Sequence, residues 1–165
     1  MIRALRIFCL CAASGVIFFY TFVVTINSFD VLGQATTAVL LDRIFPIYYQ
    51  VQLALFGLPW LLILWSQRQG RGRSGSLYSS ISMDRHGRPG WGQFILITLL
   101  LLFVLYSLLV LLPRMDEIRQ AMGVQFAPEG TPLREQWGSL HGVSMVLNLL
   151  TMAGAIVAAF WAILS

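Results

Sequence analysis

His141, Ser144 and Asn148 recur three and four residues apart, so on a helix they share one face, and they stand in an otherwise apolar stretch. A histidine, a hydroxyl and an amide side by side raise several chemistries. A b-type haem held by two histidines needs facing ligands, and the second histidine, His86, lies in a separate polar segment. A haem held by one histidine, or by histidine and methionine, could draw on Met145 or Met152, but methionine in an apolar span normally fills core. Zinc needs three or four ligands, and His141 with nearby acids makes a poor set. Ser144 has a histidine three residues earlier but lacks the strand–turn–helix setting of a nucleophile elbow. There is no glycine-rich phosphate loop, and all 11 basic residues are arginine, which removes lysine chemistry. These residues therefore point to packing or to binding. The protein is read as non-enzymatic, with no cofactor, no metal and no catalytic residue expected.

The elements that must position them follow from composition. Of 165 residues, 58% are hydrophobic and 11% charged, where a soluble domain has roughly 25% charged. With a mean hydropathy of +0.77, a soluble monomer would expose more apolar surface than water tolerates. Four stretches are long enough to cross a bilayer as helices, at about 5–26, 44–65, 94–112 and 143–164. The chain is thus expected to be all-α, a single four-helix transmembrane domain. Arg3 and Arg6 before the first span resemble a signal peptide, but the apolar run continues to Ile26, so the span is read as retained. The third span is almost pure Leu, Ile, Val and Phe. The fourth carries Ala153, Gly154, Ala155, Ala158 and Ala159, with Gly138 and Gly142 before it, a small-residue pattern that suits close helix contact. Cys9 and Cys11 point about 200° apart on a helix, cannot bridge each other and read as small hydrophobes.

Arginine sets the expected orientation. The connection 67–93 holds Arg68, Arg71, Arg73, Arg85 and Arg88 against Asp84, and the N-terminal tail adds Arg3 and Arg6. The other two connections are balanced or acidic, which puts both termini on the cytoplasmic side by the positive-inside rule. Trp65, Trp91 and Trp161 then lie at the cytoplasmic interface and Trp137 at the opposite one. The Gly/Ser/Arg-rich connection reads as flexible, its arginines as contacts for a partner or for anionic lipid headgroups. On the outer side, Phe29, Leu32, Thr36, Val39 or Leu40, and Arg43 recur at helical spacing before Pro46, and Met115, Ile118 and Met122 share a face in 114–122. Both predict short amphipathic helices. Span, outer helix, span therefore occurs twice, as in a parallel duplicated hairpin. On this topology a polar cluster of Asp42, Arg43, Arg114, His141, Ser144 and Asn148 gathers at the outer end. Such residues in a span should face protein. They either hold the bundle in register or line a polar pocket.

The same region carries a family resemblance. Phe45-Pro46-Ile47-Tyr48, Pro113-Arg114, His141-Gly142-Val143-Ser144 and Leu147-Asn148-Leu149 resemble the family of transmembrane protein 205, small four-span proteins described mainly as a domain of unknown function. The similarity runs from about residue 16 to 155 and omits the loop 67–93. It implies a four-helix fold with a shared outer-face cluster and brings no reaction, cofactor or catalytic residue.

Two functions are consistent with these features. The first is an accessory or stabilising subunit of a larger membrane complex, respiratory or photosynthetic. It would contact the lipid bilayer and other membrane-protein subunits, and no nucleic acid, since no aromatic–basic platform accompanies the positive charge. The second is a small-solute or ion binding or transport protein that uses the outer pocket. The compartment would be a bacterial inner, thylakoid-type or organelle membrane.

Overall fold

The computed structural model describes residues 1–70, 90–123, 128 and 130–164. Four helices make up the fold: α1 (Ile2–Gly33), α2 (Thr36–Arg68), α3 (Trp91–Met122) and α4 (Pro132–Leu164). Each is long and apolar enough to cross a membrane, and there is no strand among the described residues. This is the architecture of an integral membrane protein. At 32 or 33 residues the helices are about 50 Å long, whereas a hydrocarbon core takes roughly 30 Å. The apolar spans read from the sequence are thus embedded in longer helices, with most of the added turns at the end that bears His141.

Gly33 is the reason no separate helix forms over 29–43. Its φ of 71° and ψ of 171° fall where a side chain is disfavoured, and the chain reverses there. Phe29 and Leu32 finish α1, while Thr36, Val39 and Arg43 begin α2. The Thr37 hydroxyl donates to the Ser28 carbonyl at 2.7 Å across the turn. Segment 114–122 likewise continues α3 and ends at Gly123, whose φ is 80°. Both odd helices widen before their last turns, into π-helix at Phe19–Val24 and at Ser107–Leu111. The halves therefore match in sequence of events: a long α-helical run, a π turn, two to three more turns, a glycine with positive φ, then a 33-residue helix.

The helices run up and down in sequence, each packed against its chain neighbours, with α1 and α4 closing the ring. Lipid tails are as apolar as leucine, so close fit and internal hydrogen bonds hold such a bundle together. Ala13 of α1 and Ala155, Ala158, Ala159 and Ala162 of α4 are buried. Gly154 lies so close to Leu100 that a Cβ would stand 2.5 Å from Cδ2, and Gly92 carries the Trp161 indole directly against it. The small residues of the C-terminal half of α4 therefore pack as expected. Gly138 and Gly142 do not, being exposed with nothing near them. Cys9 is buried and Cys11 exposed, both as free thiols.

Polar side chains tie the bundle at several levels. At one end Arg3 donates from Nε to the Ala162 carbonyl at 2.9 Å and from Nη2 to Ile163. The last carbonyls of a helix lack partners and carry partial negative charge, so a guanidinium suits them. Arg6, buried, reaches the Gln93 Oε1 at 3.4 Å, and Gln93 Nε2 donates to the Ala158 carbonyl at 3.0 Å. This joins α1, α3 and α4. Further along, Trp60 Nε1 donates to the Thr98 hydroxyl at 2.9 Å between α2 and α3.

The Gly92–Trp161 contact gives a prediction. Gly92→Ala should destabilise the detergent-solubilised protein by about 1–3 kcal/mol, the usual range for overpacking. Gly15→Ala, in open space inside α1, should leave the thermal midpoint unchanged or raise it slightly, since alanine is the better helix former. Equal midpoints for the two variants would refute the close packing.

Candidate functional site

At the His141 end the last turns of α1 and α3 and the first turns of α2 and α4 surround a pocket. It encloses about 650 Å³, open solvent at its mouth included. The floor and one side are apolar, from Leu41, Leu111, Leu112 and Met115, with Ala38 leaving room beside them. Phe29, Phe45, Tyr49 and Trp137 add aromatic walls, and Asp42, Asp116, Arg119, His141 and Ser144 supply the polar groups.

The π turns help explain why these side chains meet. A π turn holds extra chain, so residues beyond it are rotated relative to a straight α-helix, and such bulges recur at functional sites. In α3, Ile97, Leu100, Val104 and Ser107 are buried along the bundle axis. Past the π turn, Leu111, Met115 and Arg119 continue that line in steps of four and reach the pocket. In an undistorted helix four residues overshoot a turn by about 40°, and three such steps would carry Arg119 well off the axis. In α1, Thr25 uses the widened turn, its hydroxyl donating to the Tyr20 carbonyl at 2.9 Å. Phe29 then lies on the pocket side.

Charge is organised around Arg119. Its Nε pairs with Asp42 of α2, and its Nη2 with Asp116, one turn back, at 3.1 Å. Gln120 Nε2 donates to the other Asp116 oxygen at 2.7 Å. The Asp42 and Arg119 side chains are about a quarter exposed, at 28% and 25%, so they are partly desolvated and each needs the other. Across the pocket the His141 ring stacks on Trp137, with centroids 5.0 Å apart and planes 7° from parallel. The Arg134 guanidinium lies over the same indole, 5.6 Å from its centroid.

Beneath the pocket two hydrogen bonds cross the bundle from α2 to α4. The Tyr49 and Ser144 hydroxyls are 3.3 Å apart, and Tyr48 donates to the Asn148 Oδ1 at 3.1 Å. Tyr20 of α1 stacks on Tyr48 at 4.3 Å between centroids, and Gln52 is fully buried one turn deeper. Asn148 and Tyr48 thus seal the pocket from below.

Of the six residues expected at this end, the structure brings Asp42, His141 and Ser144 into the pocket and places Asn148 just under it. Arg43 and Arg114 are exposed and outside the wall. Arg119 holds the position expected of Arg114. Its spacing of three from Asp116 was available in the sequence, but which face of α3 turns inward depends on the π turn. Tyr49 and Trp137 also join the site, where only belt placement was foreseen for Trp137. Of the basic connection, Arg68 is exposed near the end of α2, and Arg71, Arg73, Arg85 and Arg88 lie outside the described residues. Among the described residues no three His, Cys, Asp or Glu side chains are grouped as metal ligands.

Residues 8–123 match the family described as a domain of unknown function, DUF4149. The chain belongs to that family. The match covers α1, α2 and α3, hence Phe29, Asp42, Phe45 and Arg119, and stops before α4 with His141 and Trp137. No curated protein and no solved structure matches the chain.

If Arg119 and Asp42 hold α3 to α2, Arg119→Ala should cost about 1–3 kcal/mol, below the range for a fully buried pair. Asp42→Asn combined with Arg119→Ala should cost less than the sum of the singles. A double-mutant cycle on thermal unfolding in detergent checks this, and strict additivity would mean the pair carries no coupling.

Proposed function

We propose that this DUF4149 protein is a non-enzymatic membrane protein that binds a small solute in the pocket at the His141 end. The observation that supports this best is the make-up of the pocket: an apolar floor, aromatic walls and a few convergent charged groups. That is the usual composition of small-molecule sites. A cluster that served only to hold the bundle in register would be expected to fill the space between the helix ends. The arginine distribution supports a topology with both termini cytoplasmic and this pocket on the outer side. The last turns of α3 fit an outer amphipathic segment, since Met115, Ile118 and Met122 are half-buried while Arg114, Glu117 and Gln120 are exposed. The His-Gly and Phe-Pro-x-Tyr motifs also support kinship with the transmembrane protein 205 group.

The test is native mass spectrometry of the protein extracted in mild detergent. A small-molecule adduct is expected on the wild type and not on Ala38→Phe, which fills the pocket. Bare protein in both cases would count against the reading.

A second reading, an accessory subunit in a larger membrane assembly, is favoured by a different observation. Gly138, Gly142 and Ala153 of α4 face away from the bundle, and no atom lies within 4 Å of where a Cβ would sit on either glycine. Small residues on an outward face let another helix approach closely. On this reading Gly142→Leu should release the protein from a larger species on a native gel without lowering its thermal midpoint. Migration as a small particle before and after the substitution would remove the subunit reading.

A further inference from the structure

The same pocket carries an inference about the class of ligand, which rests on the solute-binding reading above. We propose that it takes a monovalent organic cation with an apolar body, the charged head beside Asp42 and Asp116 and the body against the apolar floor.

Charge comes first. The wall holds two carboxylates, Asp42 and Asp116, and one guanidinium, Arg119. Both carboxylates already engage Arg119, through Nε and through Nη2. An incoming anion would compete with two tethered carboxylates for that guanidinium and would lie beside their charge. A cation meets an excess of one negative charge and carboxylate oxygens with lone pairs to spare, since an ionised carboxylate offers about four acceptor sites. Arg134 lies over the Trp137 ring and is not part of the wall.

The aromatic groups agree. Phe29, Phe45 and Tyr49 ring the space, and aromatic faces attract cations and repel anions through their quadrupole. Depth settles the orientation. Asp116 is the most exposed of the three charged groups, with 44% of its side chain accessible, whereas Leu41 and Leu111 are buried. Apolar surface lies deep and the carboxylates nearer the mouth, so a head-group cation stays close to water while its body enters. A bare metal ion would leave that floor unused. A neutral apolar molecule would leave the spare acceptor sites of the two carboxylates unused.

The experiment uses a water-soluble pair matched in shape and opposite in charge, benzyltrimethylammonium and phenylmethanesulfonate. Each is titrated by calorimetry against the full chain in nanodiscs, with empty nanodiscs subtracted. Benzyltrimethylammonium is expected to bind at least about tenfold more tightly, a difference of about 1.4 kcal/mol. Asp116→Asn should bring the two close to parity, and Ala38→Phe should abolish both. Equal or tighter binding of the sulfonate, still abolished by Ala38→Phe, would overturn the cation assignment and leave the pocket reading intact. No binding of either ion, or binding that Ala38→Phe leaves unchanged, would overturn both. Should Asp116→Asn fail to fold, the wild-type comparison decides by itself.

Discussion

Inside a bilayer a polar side chain has no water to turn to, so it must find its partner within the protein or reach an interface. The charged groups of this bundle follow that constraint, while the Gln52 amide and the Tyr20 hydroxyl are buried without a hydrogen-bond partner among the described residues. Helices of about 50 Å exceed the hydrocarbon core by several turns, and the ionisable groups are gathered at the ends. Arg3 and Arg6 occupy one end with the final carbonyls of α4 and with Gln93. Asp42, Asp116, Arg119 and His141 occupy the other. Between them the buried polar groups are uncharged. Trp60 with Thr98, Tyr48 with Asn148, and Tyr49 with Ser144 each satisfy one another.

The two ends solve the same problem differently. At the Arg6 end the guanidiniums bond to backbone carbonyls and to an amide, and the small residues of α4 bring the helices close enough for this. Gly92 and Gly154 have no room for a side chain there. At the other end the charged groups satisfy each other, and bulky aromatic residues stand between the helices. Ion pairs between long side chains reach across a gap that carbonyl bonds could not bridge. The bundle is consequently tight where its charges meet backbone and open where they meet side chains.

Much of this was legible in the sequence. Four apolar stretches with a skewed arginine distribution give the helix count directly, because hydrocarbon thickness fixes the length of a span. The spacing of His141, Ser144 and Asn148 correctly placed them on one inward face, since α4 is regular throughout. In α3 the same reasoning stops at residue 107. Helical periodicity assumes 3.6 residues per turn, and the π turn at Ser107–Leu111 shifts everything beyond it. Arg119 thereby joins the wall and Arg114 does not. The glycine stripe has a related lesson. Gly154 and Gly138 look alike as residues, yet one meets Leu100 and the other meets nothing, because crossing and splaying of helices is a property of the whole bundle.

The π turns also bear on how the site came to have four walls. Each lies sixteen or seventeen residues into its helix, after Ile2–Phe18 in α1 and after Trp91–Tyr106 in α3. Each is followed by a glycine with positive φ and a 33-residue helix. Both hairpins supply the site: Phe29 with Asp42 and Phe45 come from one, Arg119 with Trp137 and His141 from the other. One half brings a carboxylate and the rings of Phe29, Phe45 and Tyr49, the other a carboxylate, a guanidinium, an indole and an imidazole. Asp42 pairs with Arg119 across the two hairpins, while Arg119 also pairs with Asp116 in its own helix, so the Asp42–Arg119 pair belongs only to the assembled bundle. A charge that is satisfied only on assembly rewards correct docking of the two halves, and in lipid that is a large part of what folding consists of.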